Sequence, residues 1–132
     1  MKHKMKRNLL IALIMLLGIS LHAQNTEEKE NTTQAAFIYV APGNDPNVHK
    51  VFIDSPVVKL TVVGVADYNQ AEAAAIELVK NGITAIELCA GFGNEGVARI
   101  IKAVGDKAAV GVVRFDFHPA FNFQSGDKVF NK

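Results

Sequence analysis

The sequence predicts a small α/β domain with about four mostly parallel strands joined by helical crossovers. Its 132 residues, 49% of them hydrophobic, suit one domain with its own core. Apolar segments of strand length alternate with amphipathic helical segments, and these strands are nearly continuous in apolar residues. That pattern is typical of parallel strands covered on both faces. With 20% charged residues and a net charge of +1, the composition excludes a disordered chain and a strongly basic nucleic-acid binder.

Residues 1–23 are predicted to be a secretory signal peptide. Basic side chains precede an apolar run from Leu9 to Leu21, which is shorter than the ~20 residues that span a bilayer. Ala23 is a small residue suited to cleavage before Gln24. We therefore expect an exported protein, periplasmic or secreted, with no stable membrane span after cleavage. An uncleaved segment retained as an anchor is the alternative.

The predicted mature chain, residues 24–132, is mildly acidic. It holds 10 Lys+Arg and 13 Asp+Glu, a net charge of −3, so nucleic acid and anionic lipid are poor partners. Residues 24–34 are polar and lack periodicity, which predicts a flexible leader before a single domain over residues 35–132. Cys89 is the one cysteine and has no disulfide partner, so it is expected to be a buried small hydrophobe.

The first half of the domain is predicted to contain two strands and a helix. Residues 35–40 form a β-branched and aromatic strand, and Pro46 is a candidate first residue of a short helix that runs to Phe52. Residues 57–65 form a second strand. Asp67 is placed to cap the clearest helix, which Asn81 and Gly82 end. The parallel or antiparallel orientation of the first strand stays open.

The second half repeats this alternation. Residues 83–90 form a third strand, a second helix begins near Asn94 and stops at Gly105, and residues 108–115 form a fourth strand. The remaining segment is irregular and rich in phenylalanine. These side chains are too apolar for a solvated tail, so we expect the segment to fold back on the sheet or to cover a partner.

A glycine-rich turn lies at the carboxyl edge of the predicted sheet, where ligands of such folds bind. Gly91, Gly93 and Gly96 match G-x-G-x-x-G between a strand and a helix, and Asp116 follows 20 positions later. Glu95 within the turn and the small size of the chain argue against a dinucleotide, so no cofactor is predicted. The glycines are interpreted first as a tight turn with a closely packed helix, and second as backbone donors to a smaller anion.

Four polar residues form the other candidate site. Arg114, Asp116 and His118 alternate along the end of the fourth strand, and Glu87 lies in the apolar third strand. Glu87 is expected to pair with Arg114, because an unpaired carboxylate in a buried strand is costly. The alternative is a polar cluster of all four around a pocket, with His118 as acid or base. No metal site is predicted, because His49 is expected at the surface and no second histidine is assured beside His118.

Two resemblances bear on these predictions. The blocks AFIYVAPG, LTVVGV, AIELCAGFGNEGVA and VGVVRFDFHP resemble a bacterial family of small α/β proteins of unknown function, over residues 35–130. This resemblance implies the fold and no activity. More weakly, residues 71–115 are similar in rhythm to the βα units of (β/α)8-barrel lyases and aldolases, where the residue at the place of Glu87 lies at the active-site edge. Because the chain is half the length of a barrel, a half-barrel that dimerises is the hypothesis that reconciles the two.

Three functions remain open from the sequence. The first is an exported domain that binds a small polar or anionic molecule at the carboxyl edge of its sheet. Its candidate binding residues are Gly91, Gly93, Asn94, Gly96, Arg114, Asp116 and His118. The second is a small enzyme of lyase or isomerase type that uses Glu87 or His118 as acid or base. The third is a non-catalytic homo-oligomeric module with the phenylalanine-rich tail at its interface.

Overall fold

The computed structural model describes residues 32–131, which form a five-stranded sheet with helices packed on it. The strands are β1 (Thr33–Val40), β2 (Lys50–Asp54), β3 (Val58–Val65), β4 (Ala85–Leu88) and β5 (Ala109–Val112). The helices are α1 (Tyr68–Lys80), α2 (Asn94–Val104) and the short α3 (Gly126–Phe130), with 3-10 turns at Gly105–Lys107 and Pro119–Phe121. The α/β prediction is confirmed. The predicted signal peptide and most of the predicted leader lie outside the described residues.

The strand order is β2-β3-β1-β4-β5, with β2 antiparallel to β3 and all other neighbours parallel. The crossovers through α1 and α2 both advance toward β5, so right-handed connections place the two helices on the same face. The strands contribute every second residue to the core beneath these helices. The core side chains of the strands are Ala36, Ile38, Val40, Val63, Val65, Ile86 and Leu88, and those of α1 and α2 include Tyr68, Ala71, Ala75, Leu78, Ile100 and Val104.

The two long helices begin and end close to the predicted positions. The Asp67 carboxylate caps α1 by accepting a hydrogen bond from the Gln70 amide at 3.0 Å. The Gln70 side chain accepts a hydrogen bond from the Ala66 amide at 2.9 Å. In a standard capping box the donor is the amide of the capping residue, which here is Asp67. Gly82 and Gly105 follow α1 and α2 with φ values of 93° and 58°, the left-handed region that glycine enters without strain.

The segment after β1 does not form the predicted helix. Residues 46–48 make a turn, and Lys50–Asp54 is a strand that pairs antiparallel with β3. The run of Val51, Phe52 and Ile53 explains the difference, because β-branched and aromatic side chains favour a strand. β1 also begins at Thr33, two residues before the predicted start, and lies in the middle of the sheet, parallel to both of its neighbours.

The expectation that both faces of the sheet are covered is wrong for residues 32–131. The core lies on one side only, and Val51, Ile53 and Glu87 are exposed on the other. The half-barrel is also contradicted: successive βα strands of a barrel are neighbours, whereas β1 lies between β3 and β4. No helix in this part of the chain is long and apolar enough to cross a membrane.

The C-terminal segment folds back as predicted, but only part of it is buried. Phe130 is 2% exposed and its ring lies 6.0 Å from that of Tyr68 and 5.2 Å from that of Phe121. Phe117 and Phe123 are 68% and 69% exposed. The segment therefore packs through Phe130 onto the helical layer and leaves the opposite face of the sheet uncovered.

Candidate functional site

A carboxylate of the chain itself occupies the N-terminus of α2. Asp127 Oδ2 accepts a hydrogen bond from the Glu95 amide at 3.0 Å, and its Oδ1 accepts one from the Gly96 amide at 2.9 Å. An anion is favourable there, because the first amides of a helix have no partner within the helix. The Gly96 amide, one of the donors that the sequence predicts for an external anion, is therefore bound to the C-terminal segment.

The three glycines of the G-x-G-x-x-G turn allow close contacts within the chain. A Cβ atom at Gly93 would collide with Asp127 and Ser125, and one at Gly96 would lie 2.5 Å from the Tyr68 ring. At Gly91 a Cβ would lie 2.8 Å from a methyl carbon of Val40. The first interpretation of this motif, a tight turn with close packing, is confirmed.

Tyr68 joins this turn to the C-terminal segment. Its fully buried hydroxyl accepts a hydrogen bond from the Gly93 amide at 3.0 Å and donates one to Asp127 at 3.3 Å. Its ring stacks on Phe92 with centroids 5.4 Å apart, and the Arg99 guanidinium lies 5.9 Å from the ring centroid. Burial raises the pKa of the Tyr68 hydroxyl, because the charged phenolate loses its hydration there. Tyr68 is thus a neutral donor at physiological pH.

A small cavity lies beside the turn, at the carboxyl ends of β4 and β5. Its volume is about 140 Å³. It is lined by Phe92, Gly93, Asn94, Arg114, Phe115, Asp116 and Ser125. Within residues 32–131 the Asn94 amide has no hydrogen-bond partner, and Arg114 uses only its Nε, which donates to Asp116 Oδ1 at 2.6 Å. Among the lining residues, the Asn94 backbone amide and the outer guanidinium nitrogens of Arg114 are thus donors without a partner in residues 32–131.

The predicted ion pair between Glu87 and Arg114 does not form. Glu87 points to the uncovered face of the sheet and is exposed, so its charge remains in water and needs no buried partner. Arg114 pairs with Asp116, and both side chains are more than 60% exposed. The prediction failed because it assumed that β4 is buried on both faces.

His118 lies apart from the cavity. The prediction placed Arg114, Asp116 and His118 on one face of a strand. β5 ends at Val112, so none of the three lies in a strand whose side chains alternate between faces. The His118 ring stacks on Phe121 with centroids 4.2 Å apart, and its Nδ1 accepts a hydrogen bond from the Ala120 amide at 3.2 Å. The four-residue polar cluster is therefore not assembled, and His118 supports the turn at Pro119–Phe121.

The remaining side chains of interest have local roles. His49 is exposed, as expected, and its Nδ1 accepts a hydrogen bond from the Asp45 amide at 2.8 Å. Cys89 is half-buried, less enclosed than predicted, and its Sγ lies 3.4 Å from the Val40 amide and 3.3 Å from the Gly91 amide. No three metal-ligating side chains converge among the residues that the structure describes.

A second cavity lies beside α1 over the β2 end of the sheet and has a volume of about 240 Å³. Lys50 and Glu77 contribute opposite charges to its lining, and Gln70 uses its amide oxygen in the helix cap. We favour the smaller cavity as the candidate site, because the ends of parallel strands, a helix N-terminus and an arginine meet there.

Sequence reasoning missed Tyr68, Ser125 and Asp127. One signal was available: Ser125 caps α3 by accepting a hydrogen bond from the Asp127 amide at 3.3 Å, and a serine followed closely by an aspartate is typical of a helix start. The contact of Asp127 with α2 had no local signal, because 31 positions separate Asp127 from Gly96.

Residues 33–128 match a family described as "Family of unknown function (DUF6506)". No curated protein and no solved structure matches the chain.

Proposed function

This chain belongs to the family of unknown function DUF6506, and we propose that it binds a small polar molecule with a carboxylate or phosphate group at the carboxyl edge of its sheet. The observation that carries the proposal is the cavity between Asn94 and Arg114, where a backbone amide and a guanidinium keep donors without a partner in residues 32–131. Both donor types suit the oxygens of an anionic group.

The Arg114 guanidinium is available to a ligand. Its ion pair with Asp116 is exposed, and pairs of this kind contribute about 0–1 kcal/mol. A ligand carboxylate or phosphate can therefore approach the outer guanidinium nitrogens while Asp116 keeps the Nε. Asp116 also favours a ligand that carries a hydroxyl or amine donor beside its anionic group.

The size of the cavity limits the ligand. Its volume of about 140 Å³ is comparable to about five water molecules in the liquid, at roughly 30 Å³ each. A carboxylate or phosphate with a few attached atoms fits this space, whereas a dinucleotide does not. The acid–base alternative has no support from this geometry, because neither Glu87 nor His118 lines the cavity.

Titration of the full-length protein tests the proposal, with inorganic phosphate and glycolate as probes and amide chemical shifts as the readout. We expect saturable shifts at Asn94 and loss of these shifts in Arg114→Gln. Lys102→Gln removes an exposed positive charge from α2 and is the matched control, which retains the shifts. Unsaturated shifts with both probes, or equal binding by Arg114→Gln, would contradict the proposal.

We also propose that the protein acts after export. The basic and apolar N-terminal residues support this, and the proposal predicts a purified protein that begins at Gln24. Intact-mass measurement of protein from an expressing bacterium, fractionated into cytoplasm and periplasm, tests it. A full-length protein confined to the cytoplasm would contradict export.

A further inference from the structure

The face of the sheet opposite α1 and α2 is apolar and uncovered by residues 32–131. Two rows of side chains cross it, as the strand register defines. The first row consists of Ile53, Leu60, Ala35, Ala85 and Ala109, and the second of Val51, Val62, Phe37, Glu87 and Gly111. Glu87 is the one charged residue in these rows. We call the two rows the open face.

Contacts within the described chain do not cover the open face. A Cβ atom at Gly111 would have a single neighbour within 4 Å, a side-chain carbon of Glu87 at 3.9 Å. Val51 and Ile53 are 55% and 48% exposed, whereas Phe37, Leu60 and Val62 in the middle of the rows are half-buried between their strand neighbours. A contiguous apolar surface of this extent on a small domain indicates an interaction site.

We propose that the open face binds the open face of a second copy of this chain, in a two-fold symmetric dimer. The interface is separate from the C-terminal segment and does not depend on the proposed ligand site. Two sheets packed in this way form a sandwich with a shared apolar layer between them and α1 and α2 on the outside of each copy.

The area of the side of the sheet that carries the open face suits a dimer. Its five strands, spaced about 4.8 Å apart with about six residues each, give a flat surface on the order of 500 Å². Two such faces in contact bury on the order of 1,000 Å². This value treats each face as flat and leaves out the additional surface area of the side chains. That value reaches the roughly 1,000 Å² expected of a specific interface.

The chemistry of the open face favours a second copy over other partners. Its rows contain no lysine or arginine, so they have no donors for the phosphates of nucleic acid or of a lipid surface. An apolar face is complementary to itself, and a two-fold axis closes the assembly so that neither copy keeps an uncovered face.

The mass in solution of the protein as it is purified after export, measured by analytical ultracentrifugation from 1 to 200 µM, is the first test. We expect a dimer that dissociates on dilution, and an unfolding temperature that rises with protein concentration. The double variant Val51→Lys and Ile53→Lys places two positive charges on each open face. It is expected to raise the dissociation constant at least about 100-fold.

Two further variants separate the interface from the fold. Ile76→Lys with Ile101→Lys is the matched control, because these side chains are 39% and 49% exposed on α1 and α2. It is expected to leave the dimer intact. Val62→Thr keeps the shape and strand preference of valine, so it preserves the fold and weakens the dimer about tenfold through its hydroxyl.

Two results would overturn the proposal. One is a monomer throughout the concentration range, which would mean that something other than a second copy covers the open face. The other is an oligomer that persists in the folded Val51→Lys and Ile53→Lys variant, which would place the interface elsewhere. Far-UV circular dichroism establishes that each variant is folded before its mass is interpreted.

Discussion

The Asp127 carboxylate accepts a hydrogen bond from the Gly96 amide at 2.9 Å, although α2 and α3 are far apart in the sequence. The same carboxylate accepts from the Glu95 amide and from the Tyr68 hydroxyl. The amides at the N-terminus of α2, which would otherwise attract an external anion, are thus bound to Asp127 in the C-terminal segment. The C-terminal segment is therefore part of the fold, and its contacts can be tested one at a time.

Asp127→Ala removes the acceptor of two helix amides, and it is expected to lower the free energy of unfolding by about 1–3 kcal/mol. Urea denaturation measures this loss. Because the amides of Glu95 and Gly96 are then open to solvent anions, phosphate at constant ionic strength should stabilise this variant more than the wild type. Asp106→Ala, at an exposed position, is the control and should change little. Equal stability of wild type and Asp127→Ala would show that the contact contributes nothing.

Gly96→Ala places a methyl group against the Tyr68 ring, at 2.5 Å from its nearest carbon. The expected loss of stability is about 1–3 kcal/mol by overpacking, although alanine favours a helix over glycine by about 1 kcal/mol. Lys102→Ala, at an exposed position of the same helix, is the control and should change little. Thermal unfolding compares the two variants. A stabilising Gly96→Ala would contradict the close contact.

Stability is expected to fall at alkaline pH because of Tyr68. Burial raises the pKa of its hydroxyl above the ordinary value of about 10. Above that pH the unfolded chain loses this proton while the folded chain keeps it. Each further pH unit, until the folded pKa is reached, therefore lowers the free energy of unfolding by up to about 1.4 kcal/mol.

The Tyr68→Phe variant isolates this effect from the titration of lysines. It is expected to be less stable than the wild type at neutral pH by about 1–2 kcal/mol, because the Gly93 amide and Asp127 lose a partner. The difference should shrink as the pH rises above about 10. Urea denaturation from pH 8 to 11 measures it, with Tyr39→Phe as the control. A difference that stays constant would mean that the Tyr68 hydroxyl titrates normally.

Phe130 is expected to hold the C-terminal segment in place. Phe130→Ala should cost about 3–4 kcal/mol of unfolding free energy, because the ring is 2% exposed and lies against Tyr68 and Phe121. Phe117→Ala removes the same side chain at a position that is 68% exposed and should cost little. Chemical denaturation of both variants checks the contrast. Similar losses for the two would mean that the segment does not pack as described.

Much of the local structure could be predicted, because the signals for it lie within a few residues. Asp67 caps α1, Gly82 ends it and Gly105 ends α2, all at the predicted positions. The prediction failed at Lys50–Asp54, where Pro46 was given more weight than the strand preference of the residues after it. It also failed at the end of β5, where the alternation of polar residues was extended past Val112.

The structure gathers only some of the predicted binding residues around the cavity. Gly93, Asn94, Arg114 and Asp116 line it, whereas Gly91, Gly96 and His118, and the acid–base candidate Glu87, do not. The prediction assigned Glu87 to a buried ion pair because it assumed that both faces of the sheet are covered around the apolar third strand. A strand sequence fixes which side chains share a face, but it does not say what covers that face.

The α/β class, the family and the ends of the long helices follow from the amino-acid sequence, because periodicity, caps and glycines act over short distances. The central place of β1 and the face that residues 32–131 leave open emerge only when the strands assemble. The contact of Asp127 with the amides at the start of α2 likewise forms only in the tertiary structure. These features depend on contacts between residues far apart in the chain, and they are set by how the whole core packs.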